Sequence, residues 1–194
     1  MLAFPTLCSE QWRRDMRWEA QEIIPGVLLG PSQVSKSSEA LKVAGVTHII
    51  CVRDERHGFV VRPRFPDLFS YLVLDIEDGD AWSLIKNFAR MKGFVDEALA
   101  VHWGNEEPAG KVFVHCHMVM YLMDRFAVSW DEALSFVVKQ RVCVALDDPV
   151  YTQIQEFDTV CMARRALLLD RPSNPRKRSR DVDGDYGDVL SSWV

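Results

Sequence analysis

Cys116 is the residue of this chain best suited to chemistry, because it follows an apolar stretch that ends in His115. A cysteine at the end of a strand can act as a nucleophile once its thiol is deprotonated. Attack on phosphate also needs a ring of backbone N–H groups and an arginine shortly after the cysteine. Instead, the sixth residue after Cys116 is Leu122, and no glycine lies between Cys116 and Arg125. We therefore expect a buried, inert thiol whose pKa stays near ~8.5 or higher.

The triplet His115-Cys116-His117 also resembles a set of metal ligands. Side chains alternate along a strand, so His115 and His117 would share one face and Cys116 would point to the other. A zinc site needs at least three converging protein ligands, and no third ligand lies at a suitable spacing. We expect neither a metal ion nor any other cofactor.

The elements that must position Cys116 alternate between strands and helices. Apolar runs predict strands within 22–31, on both sides of a Pro-Gly turn, and at 47–53, 71–76 and 111–116. Serine caps at its start predict a helix within 35–45, and a short helix is predicted at 118–126. The capping box of Ser129 and Glu132 predicts the start of another helix. Two further helices are predicted from apolar stripes, which are Ile85, Phe88, Met91, Val95 and Ala98 in one and Val150, Ile154, Phe157 and Cys161 in the other. This alternation predicts an α/β fold with a central, mostly parallel sheet flanked by helices.

The connection after Cys116 is predicted to be very short. If the strand ends at Cys116 and the helix begins at Met118, only His117 joins them. Connections of this kind usually take about 2–6 residues. A helix over 118–126 is also shorter than the average of about 11–12 residues. Both features predict reduced stability.

The composition is that of a globular protein of one domain. The chain has 194 residues, of which 48% are hydrophobic and 26% charged, and its net charge of -5 favours neither nucleic acid nor anionic membranes as partners. The N-terminus has no long apolar core of a secretory signal, and no apolar run is long enough to span a membrane. Five cysteines without a C-x-x-C pair favour reduced, intracellular thiols. We expect Trp18, Trp82, Trp103 and Trp130 to be packing residues.

The chain is predicted to divide into a leader (1–20), a domain (21–168) and a disordered charged tail (169–194). The tail contains PRKRSR at 175–180, with four basic residues in six. Such a run serves nuclear import or acidic partners in many proteins. Alternatively it is a solvated segment balanced by the aspartates that follow it. We expect a protein of the cytoplasm and nucleus.

Several motifs resemble the dual-specificity protein phosphatases, most closely their serine/threonine/tyrosine-interacting pseudophosphatase branch. The residues that carry this resemblance are EIIPGVLLGP, GVTHIICVR, FSYLVLDIED, KVFVHC and DEALSFVVKQRVCVALDDPVYTQIQEF, in this order, within about residues 17–165. The resemblance implies the cysteine-phosphatase fold, with a mostly parallel sheet between helices.

The same resemblance assigns roles to three residues. Phosphatases of this family carry H-C-x5-R-[ST] between a strand and a helix, and the loop binds phosphate through its backbone N–H groups. Cys116 matches the nucleophile, His115 the residue that supports the cysteine loop, and Asp78 the general acid. The segment MVMYLMDRFAVSWDEA resembles a later part of the family's helix, so the loop and the first helical turns look deleted. We expect all three residues to be vestigial and none to be catalytic.

Three functions stay open on the sequence. The first is a monomeric, catalytically inactive interaction protein that binds signalling proteins. The resemblance suggests MAP kinases or F-box ubiquitin-ligase subunits as partners, and roles in phosphorylation signalling or ubiquitin-dependent degradation. The second is an active tyrosine or dual-specificity phosphatase that uses Cys116. The third is a splice or gene-model variant with impaired folding.

Overall fold

The protein folds as a five-stranded sheet covered by helices. The computed structural model describes residues 12–54, 62–76, 83–99, 109–115, 118–146 and 148–169. The strands are β1 (Gln21–Ile24), β2 (Val27–Leu29), β3 (Val46–Asp54), β4 (Ser70–Ile76) and β5 (Lys111–His115). The helices are α1 (Ser38–Val43), α2 (Ser83–Ala98), α3 (Val119–Phe126), α4 (Trp130–Gln140) and α5 (Asp148–Leu169), with 3-10 helices at Arg14–Trp18 and Val34–Lys36. The predicted α/β fold is confirmed.

The sheet has the strand order β1-β2-β5-β3-β4 and is parallel except for the hairpin of β1 and β2. Gly26 occupies the turn of that hairpin with a φ of 80°, a conformation that glycine adopts without strain. β5 lies in the middle, where Val114 pairs with Leu29 of β2 and His115 pairs with Cys51 of β3. The carboxyl ends of these strands therefore meet at one edge of the sheet.

The larger hydrophobic core lies between the sheet and helices α2 to α5. The apolar stripes predicted for α2 and α5 are buried there, and the rings of Phe88 and Phe157 lie 4.5 Å apart between their centroids. The capping box of α4 is present, because the Glu132 carboxylate accepts hydrogen bonds from the N–H and the hydroxyl of Ser129. None of the helices in the described ranges is both long and apolar enough to span a membrane.

The connection between β5 and α3 differs from the prediction. β5 ends at His115 and α3 begins at Val119, so three residues join the two elements. A connection of three residues falls in the ordinary range of about 2–6 residues. The prediction of a single linking residue was therefore wrong. α3 itself is only eight residues long, and its C-cap residue, Ala127, has a φ of 55°.

Arg141, at the end of α4, joins the N-terminal segment to the domain. It is 5% exposed, and its Nη1 and Nη2 atoms donate to the backbone oxygens of Met16, Arg17 and Glu19 at 2.8–3.3 Å. Nη1 also donates to Oε1 of Gln21 at 2.7 Å. The 3-10 helix at Arg14–Trp18, which the sequence analysis placed in a leader, is thus hydrogen-bonded to the end of α4.

Of the tryptophans predicted to be packing residues, Trp130 and Trp18 behave differently, and Trp82 and Trp103 lie outside the described residues. Trp130 packs against the core, with its ring 5.1 Å from that of Tyr151 in an edge-to-face arrangement, as predicted. Trp18 is 62% exposed, so its prediction as a packing residue was wrong. The guanidinium of Arg17 lies over the Trp18 ring, 5.7 Å from its centroid.

Candidate phosphate site at the end of β5

His115 ends the central strand at the edge where the parallel strands terminate. It is 7% exposed, and its Nε2 atom is buried without a hydrogen-bond partner among the described residues. Burial lowers the pKa of the imidazole below its usual value of 6.5, because the charged form loses its hydration. His115 is therefore a neutral, buried side chain at pH 7. Cys116, His117 and Asp78 lie outside the described residues.

Leu122 occupies the position where a phosphate-binding arginine would stand, six residues after Cys116. Its side chain is fully buried in the core, and its N–H donates to the carbonyl of Met118 at 3.2 Å. This position is already part of α3, so neither its side chain nor its amide can face a phosphate bound beside Cys116.

The N-terminus of α3 is the part of a phosphate site that remains. The first N–H groups of a helix have no partner within the helix and favour a nearby negative charge. Met118 is the N-cap, and no side chain of the described residues caps it. The side chains of Met118, Val119 and Met120 are all buried, so the amides stand next to apolar surface. Among the described residues, the arrangement offers one helix end and a neutral histidine.

Arg53 and Asp75 form an ion pair at the same edge of the sheet. The two residues pair across β3 and β4, and Nε of Arg53 lies 2.5 Å from Oδ1 of Asp75. The hydrogen bond that Arg53 donates to the Asp75 carboxylate raises the pKa of the arginine above its usual value, which keeps the guanidinium charged. This ion pair was not predicted from the sequence. Aligning the two predicted strands by their apolar residues would have placed Arg53 opposite Asp75.

A cleft of about 530 Å³ opens beside His115. Its walls include Gly30 and Pro31 after β2, Trp18 of the N-terminal segment, and Cys143 after α4. An added Cβ at Gly30 would lie 2.9 Å from a ring carbon of Phe113, so only glycine fits where the chain leaves β2.

Two of the described cysteines, Cys51 and Cys161, are not activated. Burial raises the pKa of both Cys51 and Cys161 to about 11, so these thiols are neutral at pH 7 and poor nucleophiles. Cys143 is half-buried, and all three are free thiols. Within the described ranges no group of three or more histidine, cysteine, aspartate or glutamate side chains is arranged to hold a metal ion.

Comparison with known proteins identifies the family. The chain is 30% identical to the mouse serine/threonine/tyrosine-interacting protein, in an alignment that covers 97% of this chain and 94% of the mouse protein. The chain belongs to this branch of the dual-specificity phosphatase family. Its structure also matches the crystal structure of the human tyrosine phosphatase-like serine/threonine/tyrosine-interacting protein, with a TM-score of 0.64 and 32% identity over 75% of this chain and 99% of that one.

More distant relatives include enzymes. The chain is 28% identical to MAP kinase phosphatase with leucine-rich repeats protein 1 of Dictyostelium discoideum, over 71% of this chain but only 16% of that protein. No protein-family model matches the chain. Dual-specificity phosphatases are generally enzymes, so membership of the family alone does not decide between catalysis and binding.

The length of the alignment agrees with a missing segment. The comparison with the mouse protein extends over 217 positions, whereas this chain has 194 residues. The alignment therefore contains gaps on the side of this chain. A deletion of the loop after Cys116 would produce gaps of this kind.

Proposed function

We propose that this chain is a catalytically inactive, phosphatase-like interaction protein. The observation that carries the proposal is the burial of Leu122, whose position in α3 takes the place of the arginine that clamps phosphate in the family. Fixed donors that stabilise the transferring phosphoryl group usually supply the largest part of catalysis. Without them, Cys116 would have neither a lowered pKa nor a bound substrate to attack.

The proposed partners are signalling proteins. The relatives that match nearly the whole chain are named for interaction with serine, threonine and tyrosine residues, and a more distant one is a MAP kinase phosphatase. MAP kinases and F-box subunits of ubiquitin ligases fit a phosphatase-like fold that binds without hydrolysis. Binding would then modulate phosphorylation signalling or ubiquitin-dependent degradation. We propose a monomer for this role.

The purified chain is expected not to hydrolyse p-nitrophenyl phosphate or a phosphotyrosine peptide. The physical reason is the loss of both the N–H ring and the arginine, which together position and stabilise the phosphoryl group. Turnover is measured against Cys116→Ser as the matched control. Equal, background rates for the two proteins are expected, whereas turnover that disappears in the variant would establish an enzyme.

A phosphatase that uses Cys116 is the second candidate. Two observations favour it: the pair His115-Cys116 is intact, and α3 presents an uncapped N-terminus three residues beyond β5. A helix N-terminus lowers the pKa of a nearby cysteine. The hydrolysis assay above separates this candidate from the first.

A third candidate is a splice or gene-model variant with impaired folding. Sequencing the transcript across the codons after Cys116 tests it directly. A transcript that always contains a longer segment at this point would favour this reading over a dedicated interaction protein.

We propose that the protein is present in both cytoplasm and nucleus. The motive is the basic run PRKRSR at 175–180, which lies outside the described residues. Deletion of 175–180 from a fluorescent fusion is expected to lower the ratio of nuclear to cytoplasmic signal. Replacing the aspartates at 181 and 183 by asparagine is the matched control and should leave the ratio unchanged. An equal ratio after the deletion would remove the basis for nuclear import.

A further inference from the structure

A basic cavity lies at the opposite end of α3 from Cys116. It has a volume of about 360 Å³ and is formed by α2, the C-terminal end of α3 and the second half of α5. Four basic side chains line it, and the single acidic one is Asp124. The basic residues are Lys92, Arg125, Arg164 and Arg165. At ~30 Å³ for each water molecule, the space could hold about a dozen waters, which is ample for a phosphate group.

Two of these cations are already held in place by a carboxylate. Nη1 of Arg164 lies 3.0 Å from Oδ1 of Asp124, and Nζ of Lys92 lies 3.9 Å from Oδ2 of the same residue. Lys92 also forms an ion pair with Asp96, which in turn accepts a hydrogen bond from the hydroxyl of Tyr121 at 3.1 Å. The positions of these cations are therefore set before any ligand arrives.

Arg165 is fixed by a different kind of contact. Its Nη2 atom donates to the carbonyl oxygens of Met123 and Val128 at 3.0 and 3.2 Å. These two bonds hold the plane of the guanidinium and do not use its Nε and Nη1 donors. A guanidinium that is already oriented loses little freedom when it binds an anion. Arg125 of α3 also lines this cavity, and its side chain is exposed to solvent.

The cations have a structural role as well, because they lie at the negative end of the α3 dipole. This structural role neutralises part of their positive charge. Asp124 and Asp96 balance two of the four cations, and a helix C-terminus contributes about half a negative charge. Glu132 also interacts electrostatically with Arg165, and the positive charge that remains in the cavity is centred on Arg125 and Arg165.

We propose that this cavity binds the phosphate monoester of a phosphorylated partner protein. A ligand must compete with Asp124 for Arg164 and Lys92. A carboxylate ligand carries the same single charge as Asp124, so its exchange for Asp124 would add little binding free energy. A phosphorylated side chain carries about -1.5 to -2 charges and three acceptor oxygens, enough to draw on Arg125 and Arg165 too. The inference rests on the proposed function in one respect, which is that the bound phosphate group belongs to a partner protein. The cavity is separate from the end of β5, and so its binding does not depend on Cys116.

The test is an amide NMR titration of the full-length chain at constant ionic strength, since salt screens exposed charges. N-acetyl-phosphoserine-amide, N-acetyl-glutamate-amide and inorganic phosphate are the three probes. We expect the phosphoserine probe to shift the amides around Arg125 and Arg164, with an affinity about tenfold above that of the glutamate probe. Inorganic phosphate should shift the same amides.

Variants assign the binding to the cavity. The double change Arg125→Gln and Arg164→Gln is expected to weaken the phosphoserine probe about tenfold, and Asp124→Asn to strengthen it about threefold. Lys36→Gln makes the same kind of charge change on an exposed 3-10 helix outside the cavity and should alter the affinity less than twofold. Thermal melting confirms that each variant is folded.

Four outcomes would overturn the inference. They are equal affinities for phosphoserine and glutamate, an unchanged affinity in the double variant, shifts confined to residues 118–120 at the other end of α3, and binding of inorganic phosphate alone. The proposed function fails by a separate result, Cys116-dependent hydrolysis of p-nitrophenyl phosphate. The two failures can therefore be told apart.

Discussion

Replacement of Arg141 by alanine is expected to lower the free energy of unfolding by about 3 kcal/mol. The side chain is buried and donates hydrogen bonds to three backbone oxygens and to Gln21. Hydrogen bonds from a charged group contribute about 1.5–3 kcal/mol each, and they are not additive when they share one donor group. For a protein of this size the loss corresponds to a drop of about 6–12 °C in melting temperature. Urea unfolding followed by circular dichroism measures it.

Two controls separate this hydrogen-bonding role from a general effect of charge. Lys139→Ala removes an exposed cation two residues earlier in α4 and should change stability by less than about 0.5 kcal/mol. Arg141→Lys keeps the charge but not the planar fork, so an intermediate loss is expected. A local readout is trypsin cleavage after Arg14 and Arg17, which should accelerate in the Arg141→Ala protein. Unchanged cleavage and stability would mean that the N-terminal segment does not depend on Arg141.

The elements that sequence patterns predicted well are those with local signals. The capping box of Ser129 and Glu132 spans four residues, and the apolar stripes of α2 and α5 repeat within single helices. Such signals depend on neighbours three or four positions apart. The parallel sheet followed from the alternation of these elements, because parallel strands need crossover helices.

The features that the sequence did not predict depend on distant partners. Arg141 bonds to residues 120–125 positions earlier in the chain, which no local pattern records. The exposure of Trp18 follows from the same long-range placement of the N-terminal segment. The one-residue connection was predicted from strand and helix ends, where assignments shift by a residue or two. Of the candidate site, the burial of His115 and Leu122 could be predicted, but not the basic cavity, whose walls come from three helices.

Inserting the family's loop is expected to repair the site and to raise the melting temperature. The insertion places a C-x5-R-S loop and the first turns of the following helix directly after Cys116. The added helical turns would cover more of the sheet, and each large apolar side chain that becomes fully buried contributes about 1.5–3 kcal/mol. Differential scanning fluorimetry compares the two proteins. Because Cys116 and Asp78 match the family's nucleophile and general acid, Cys116-dependent turnover of p-nitrophenyl phosphate is expected too.

Leu122→Arg is the matched substitution, because it supplies an arginine at the family's spacing without the missing residues. Leu122 is fully buried within α3, so an arginine there would be a charge without a partner in the core. We expect a loss of about 3–5 kcal/mol or unfolding, and no turnover. Leu122→Met, which conserves volume, should cost less than about 1.5 kcal/mol. The contrast distinguishes a deleted loop from a single lost arginine.

The opposite result for the insertion would change the interpretation of this edge of the sheet. The three residues between His115 and Val119 already form a connection of ordinary length, and α3 buries six of its eight side chains. If the inserted loop leaves the melting temperature unchanged or lowers it, the short connection is compatible with full packing of the sheet. The end of β5 would then be a stable part of a binding protein, and its description as a damaged phosphate site would be wrong. If the unmodified chain is inactive and the insertion raises the melting temperature, the results would instead support a fold that lost its loop and became less stable as a consequence.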